Sequence, residues 1–154
     1  MPEIKQPKNQ HFGGKQNGVR LVWSSTFAQD RSESLDAAQK FVDSECIRKM
    51  KRYTPARNLI LSKAAVLSTK IGSGRIVFAN PYARFQYYGK VMVSSVTGSP
   101  YARKGESKVL TNRDLKYSKL RHPEAQHHWF ETMKTQYGEA ILRGAARLAG
   151  GKPK

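Results

Sequence analysis

Asn80-Pro81-Tyr82-Ala83-Arg84-Phe85-Gln86-Tyr87-Tyr88-Gly89 carries a start and a stop signal for a short helix. Asn80 suits the N-cap, Pro81 the first helical position, and Gly89 the left-handed residue past the end. About two helical turns fit between them. Tyr82, Phe85 and Tyr88 recur every three residues on one face. Large aromatics mostly fill cores, so this face is expected to anchor the helix on a sheet, with Trp129 and Phe130 of a last helix completing the core.

Downstream, Lys90 to Val96 alternates with valines and a methionine and reads as a strand. Upstream, Leu59 to Lys70 is rich in Leu, Ile, Val, Ser and Thr and also reads as a strand. Gly72-Ser73-Gly74 is a turn and Arg75-Ile76-Val77-Phe78-Ala79 the return strand, which together predict a hairpin. Val19-Arg20-Leu21-Val22-Trp23 reads as a first strand.

The spacing predicts a long helix over 31–53. Leu35, Ala38, Val42, Cys46, Met50 and Tyr53 recur at three and four residues, and Phe41 and Ile47 widen that stripe. Ser32 or Ser34 is the expected cap. Cations at Arg48, Lys49, Lys51 and Arg52 suit the negative end of the helix dipole. Thr54-Pro55 stops it. A last helix is expected from His122-Pro123-Glu124, with Ala125, Trp129, Met133 and Tyr137 at four-residue spacing. Gly138 marks a point of bending or restart, and Gly150-Gly151 the end.

The 154 residues suit one domain: a flexible basic arm at 1–18, a single α+β body over 19–149, and a tail at 150–154. Within the body, 98–121 reads as an extended basic loop with Val109-Leu110 as a brief strand. Its Arg103, Lys104, Lys108, Arg113, Lys116 and Lys119 face only Glu106 and Asp114, and they are the candidate interface residues. Across the chain 28 Lys plus Arg stand against 11 Asp plus Glu, a net charge of +17. Such a field attracts polyanions: nucleic acid, anionic lipid or an acidic protein face. No signal peptide follows Met1-Pro2, and no stretch approaches the ~20 apolar residues of a membrane span. No membrane partner is expected.

The residues offer little chemistry. Cys46 is the sole cysteine, so no intramolecular disulfide or cysteine-based zinc site is expected. His122, His127 and His128 are spaced by five, six and one, which spreads them around a helix instead of pairing them at i, i+4. Asp36 with Asp43, and Glu131 with Glu139, read as solvated charged faces. No nucleophile elbow, phosphate loop or dinucleotide fingerprint occurs, so neither enzyme nor cofactor is expected. Tyr82, Phe85, Tyr87 and Tyr88 beside Arg84 and Lys90 would suit base stacking, which makes a small nucleic-acid-binding protein the alternative.

Taken in order, Tyr53-Thr54-Pro55, the turn at Gly72-Ser73-Gly74, Asn80-Pro81-Tyr82-Ala83-Arg84, Tyr87-Tyr88-Gly89 and His122-Pro123…Ala125…Trp129-Phe130-Glu131…Lys134 form a series. It resembles the small minor capsid proteins of phages and prophages of Gram-positive bacteria, related to tail-completion and head–tail joining proteins. The similarity covers roughly residues 35–137. The family usually places a Thr-Gly pair after its Tyr-x-Pro element. Here Pro55-Ala56-Arg57-Asn58-Leu59 has no glycine, which argues against a tight left-handed turn there.

The resemblance implies an α+β fold: an antiparallel sheet packed by the long N-terminal helix and the C-terminal helix, with the short aromatic helix between strands. It implies a structural virion protein at the head–tail junction, assembled in the host cytoplasm. Copies would form a homo-oligomeric ring between portal-side connector and tail-tube proteins, with genomic DNA passing through the lumen. Polar arms at 1–18 and 98–121 would order on a neighbour. A wall gripping every phosphate would slow DNA, so acidic protein faces are the expected target of most of the charge.

Overall fold

The computed structural model describes residues 4–14, 17–56 and 59–151. The fold is α+β: two long helices flank two antiparallel ribbons, with an aromatic cluster beside a short middle helix.

Helix α1 spans Phe27–Met50, about 36 Å at 1.5 Å per residue. It begins before the expected residue 31. Trp23 packs on Phe27 with ring centroids 4.8 Å apart, and Thr26 Oγ1 donates to Asp30 Oδ2 at 2.9 Å. Neither expected serine caps it; Ser34 Oγ donates to the Asp30 carbonyl inside the helix. The helix stops where the Met50 carbonyl accepts from the N–H groups of Tyr53 and Thr54 and from Thr54 Oγ1.

The last helix, at Trp129–Leu148, runs without interruption through Gly138. It runs antiparallel to α1. Arg31 donates to the Ala149 carbonyl, Phe41 meets Gly144, and Lys49 lies over the Tyr137 ring. A Cβ at Gly144 would stand 2.5 Å from the Phe41 ring, so glycine permits this close approach. Residues 122–128 are not helical, against expectation. Their N–H groups are drawn to other segments: Gln126 donates to the Tyr53 carbonyl and His128 to the Tyr87 carbonyl.

Between the long helices, residues 60–68 form helix α2 (Ile60–Ser68), not the expected strand. Leu61 and Ala65, four apart, are the buried pair, and Leu, Ala and Lys favour helix. Leu59 precedes it at φ 60°, so a left-handed residue stands here without glycine. Such a conformation costs a non-glycine residue about 1–2 kcal/mol. Of the loop before it, Arg57 and Asn58 lie outside the described residues.

The expected hairpin over 59–79 is absent. The turn at Gly72-Ser73-Gly74 forms, with both glycines at positive φ, but it is fastened to α1. The N–H groups of Gly72 and Gly74 donate to Asp43 Oδ2 at 2.8 and 3.1 Å, and Gln39 Nε2 donates to Oδ1 at 2.8 Å. Asp43 is therefore buried at 3% exposure, not part of a solvated face. Residues 75–79 pair with no strand; the Val77 N–H goes to Thr69 Oγ1 at 3.0 Å. Ile76 and Phe78 pack partly buried against the core.

Helix α3 spans Ala83–Tyr88 and closes on Gly89 at φ 70°, as its stop signal predicts. Tyr82, not Asn80, is its N-cap residue; the Asn80 carbonyl accepts the Ala83 N–H one turn earlier. The last helix is α4 in chain order. The strands are β1 (Gln10–Gly13), β2 (Gly18–Leu21), β3 (Lys90–Ser94) and β4 (Lys108–Asp114). The expected single sheet is two separate ribbons, β1–β2 and β3–β4, because α2 and the 75–79 segment supply no strand between them. Val93 faces Val109 and Met92 faces Leu110, with a register shift between Lys90 and Met92. The brief strand at 109–110 thus extends over seven residues of the expected loop. Likewise residues 10–13 of the expected arm form a strand. Residues 1–3 and 15–16 of that arm, and 152–154 of the tail, lie outside the described residues.

The core cluster is Met50, Tyr53, Leu61, Ala83, Trp129, Met133 and Ile141. No helix among the described residues is long and apolar enough to cross a membrane.

Candidate functional site

The aromatic helix is held by its own carbonyl ends. The last carbonyls of a helix lack intrahelical partners. Here Gln86 O accepts from Tyr117 Oη at 2.6 Å, Tyr87 O from His128 N at 2.8 Å, and Gly89 O from Leu115 N at 2.8 Å. The segment that follows β4 and the segment that leads into α4 are both fastened to α3 in this way. Gly89 is required twice: by its positive φ, and because a Cβ would lie 2.9 Å from His127 Cβ.

This fastening decides which aromatic enters the core. Tyr87 meets Trp129 edge-on at 4.8 Å, and Phe78 packs on the same indole at 5.5 Å. Trp129 is 1% exposed, as expected, and Tyr82 packs partly buried against the cluster. Tyr88 is 47% exposed and stands against the His128 ring, and Phe130 is 39% exposed. Those two are corrections to the expected core; Phe85 is half-buried outside the cluster. Ala83 and Tyr87, four apart, share the inward face, a signal that three-residue spacing concealed.

Two clefts open beside α3. One, of about 540 Å³, lies against the start of β4. Tyr82 and Phe85 form its aromatic side, and Arg84, Arg103 and Lys108 its cationic side. Lys108 Nζ stands 5.6 Å from the Phe85 ring centroid. Glu106 staples this loop by accepting from Ser94 Oγ and the Arg103 N–H. The second cleft, of about 480 Å³, is lined by Lys116, Tyr117, Leu61 and again Tyr82. Of the expected interface residues, Arg103, Lys108 and Lys116 are thus gathered around Tyr82. Lys104, Arg113 and Lys119 are exposed outside both clefts.

Burial pushes the Tyr117 phenol up to about 12. Burial, then its hydrogen bond to Glu131, raises Tyr87 well above the usual tyrosine value. Burial works to raise Glu131, but the bond from Tyr87 and the nearby His128 and Lys134 hold it below the ordinary carboxylate range. These groups are locked in structural pairs: Tyr87 remains protonated and Glu131 ionised near neutrality. Asp114 is lowered by its bond from Lys90, and burial raises the Cys46 thiol.

His122 Nδ1 lies 2.7 Å from the Thr54 carbonyl, while His127 and His128 meet edge-on at 5.2 Å. Among the described residues no three metal-ligating side chains come together. The arrangement offers cations and aromatic faces for binding. Compared with known proteins, the chain matches no family model, no curated protein and no solved structure.

Proposed function

We propose that this protein is a structural subunit of a phage virion, a non-enzymatic ring component at the head–tail junction. The observation that carries the reading is apolar surface on elements that do not close within the chain. Phe12 (57% exposed), Val19 (71%) and Leu21 (42%) share one face of the β1–β2 hairpin, and Val109 and Leu110 are about half exposed on β4. Among the described residues β4 pairs only with β3, so its other edge is open to a neighbouring strand. Repetition around a closed ring would cover both features on every copy. Connector and tail-tube proteins would lie on either side, DNA would pass through the lumen, and the basic clefts beside α3 would meet acidic faces of those neighbours.

Native mass spectrometry and electron microscopy of the purified protein, alone and within assembled particles, test this. Closed rings of one stoichiometry are expected. A monomer at all concentrations that is also missing from purified particles overturns the reading.

The cleft that joins Tyr82 and Phe85 to Arg84, Arg103 and Lys108 favours one second reading, a nucleic-acid-binding protein. DNA binding with a steep salt dependence and a base preference would support it over the ring.

A further inference from the structure

A third groove, of about 480 Å³, lies between α1 and α2, away from the clefts beside α3. Its floor is apolar: Met50, Ala65 and Phe78. Val66 (61% exposed) and Leu67 (84%) stand on its α2 wall. Its charged lining is entirely cationic: Arg48, Lys51 and Lys63. Arg48 is already paired with Glu45 at 2.5 Å. Lys51 and Lys63 have no ion pair among the described residues. The Ser62 hydroxyl, buried in the same wall, has no hydrogen-bond partner among the described residues.

We infer that this groove docks an acidic amphipathic helix of another protein. Its apolar side chains would enter between α1 and α2, and its Asp or Glu residues would meet Lys51 and Lys63. A groove walled by two helices is the usual receptor for a helix presenting apolar residues at three- and four-residue spacing. Charge complementarity decides the occupant's sign. A phosphate backbone would meet Lys51 and Lys63 but leave the apolar floor of Met50, Ala65 and Phe78 unused. A second copy of this chain fits poorly. Acid in its helices is concentrated in α1, which has no large apolar side chain among the exposed ones; α4 exposes Phe130, Leu142 and Leu148 but sets Lys134, Arg143 and Arg147 against Glu131 and Glu139, and α2 and α3 carry cations and no acid. The inference rests on this groove and not on ring formation.

The test uses the full chain and fluorescence anisotropy. The probe is a labelled helical peptide of about five turns, with leucine along one face and glutamate on its flanks. A second peptide carries lysine for glutamate, and a third serine for leucine. Binding of the first alone is expected. Lys51→Glu with Lys63→Glu should weaken it about tenfold and let the lysine peptide bind instead. Val66→Ser with Leu67→Ser, both at exposed positions, should weaken it by a similar factor at unchanged thermal midpoint.

Equal binding of the serine peptide would show bulk charge attraction and overturn the proposal, as would indifference to all four substitutions. Competition by duplex DNA, or by vesicles of three parts phosphatidylcholine to one of phosphatidylglycerol, that these substitutions abolish would give the groove to those ligands instead. Loss of self-association in the lysine variant would assign it to a second copy. Rings that persist while peptide binding fails would sink this inference and leave the ring reading standing.

Discussion

The surroundings of Trp129 and the β1–β2 hairpin treat large apolar side chains in opposite ways. Trp129 is 1% exposed, enclosed by Phe78, Tyr87 and the α1–α4 seam, whereas Phe12 is 57% exposed on a ribbon whose strands are exposed throughout. Composition does not separate them, since Phe12, Val19 and Leu21 are as apolar as Met50, Leu61 and Ile141. Opposition does: α1 has α4 against it, while among the described residues the β1–β2 ribbon is joined to the start of α1 by polar ties through the segments that flank it. One is the bond from the Gln6 amide to the Ser24 carbonyl; another is the Ala28 N–H to Gln6 Oε1. Apolar surface stabilises a fold only where a second surface removes it from water. A two-stranded hairpin without such a surface is marginal by itself.

Substitutions widen or close that contrast. Trp129→Ala has the largest expected effect, a loss of about 3–5 kcal/mol of stability by chemical denaturation, as for other buried aromatic truncations. A shift under 1 kcal/mol would mean the Trp129 cluster is no better enclosed than the hairpin. Asp43→Ala comes next, at about 1–3 kcal/mol, because the N–H groups of Gly72 and Gly74 lose their acceptor. Slowed hydrogen exchange at those two amides in the wild type, and fast exchange in the variant, is the accompanying sign.

High pH probes the same enclosure. Tyr87 and Tyr117 are raised in the fold above the ~10 of a free phenol. Their contribution is complete below that pH and fades as pH climbs toward the folded values. The thermal midpoint should therefore hold to about pH 9.5 and fall between about 10 and 12. Tyr117→Phe should flatten part of the fall, and an unaltered slope would show that Tyr117 is as accessible as the hairpin residues. The smallest effect belongs to the hairpin itself: Phe12→Ser with Val19→Ser should change stability by under about 0.5 kcal/mol. The same pair should reduce self-association in sedimentation runs, and full retention of oligomers would remove the hairpin from any interface.

The long helices were legible because a stripe at three- and four-residue spacing repeats many times within each. The limits of α3 were legible at Gly89, where only glycine is at ease. Residues 60–68 were not, since a short apolar run lacks enough periods to separate helix from strand. Residues 75–79 looked strand-like for the same reason; their expected partner is helical, and the turn between them is held by Asp43. Of the basic face, the residue types around 103–116 were visible. The gathering of Arg103, Lys108 and Lys116 about Tyr82 was not, because it depends on where β4 and the chain after it are fastened.

The order of amino acids by itself set the α+β content, the two amphipathic helices, the stop at Gly89 and the excess of positive charge, all of them properties of near neighbours in the chain. Tertiary structure alone decided that Tyr87 and not Tyr88 meets Trp129, that Asp43 is an interior acceptor, and that α4 waits until residue 129. Each of those choices turns on a backbone or carboxylate group finding its hydrogen-bond partner tens of residues away. Spacing along the chain carries no record of such a pairing.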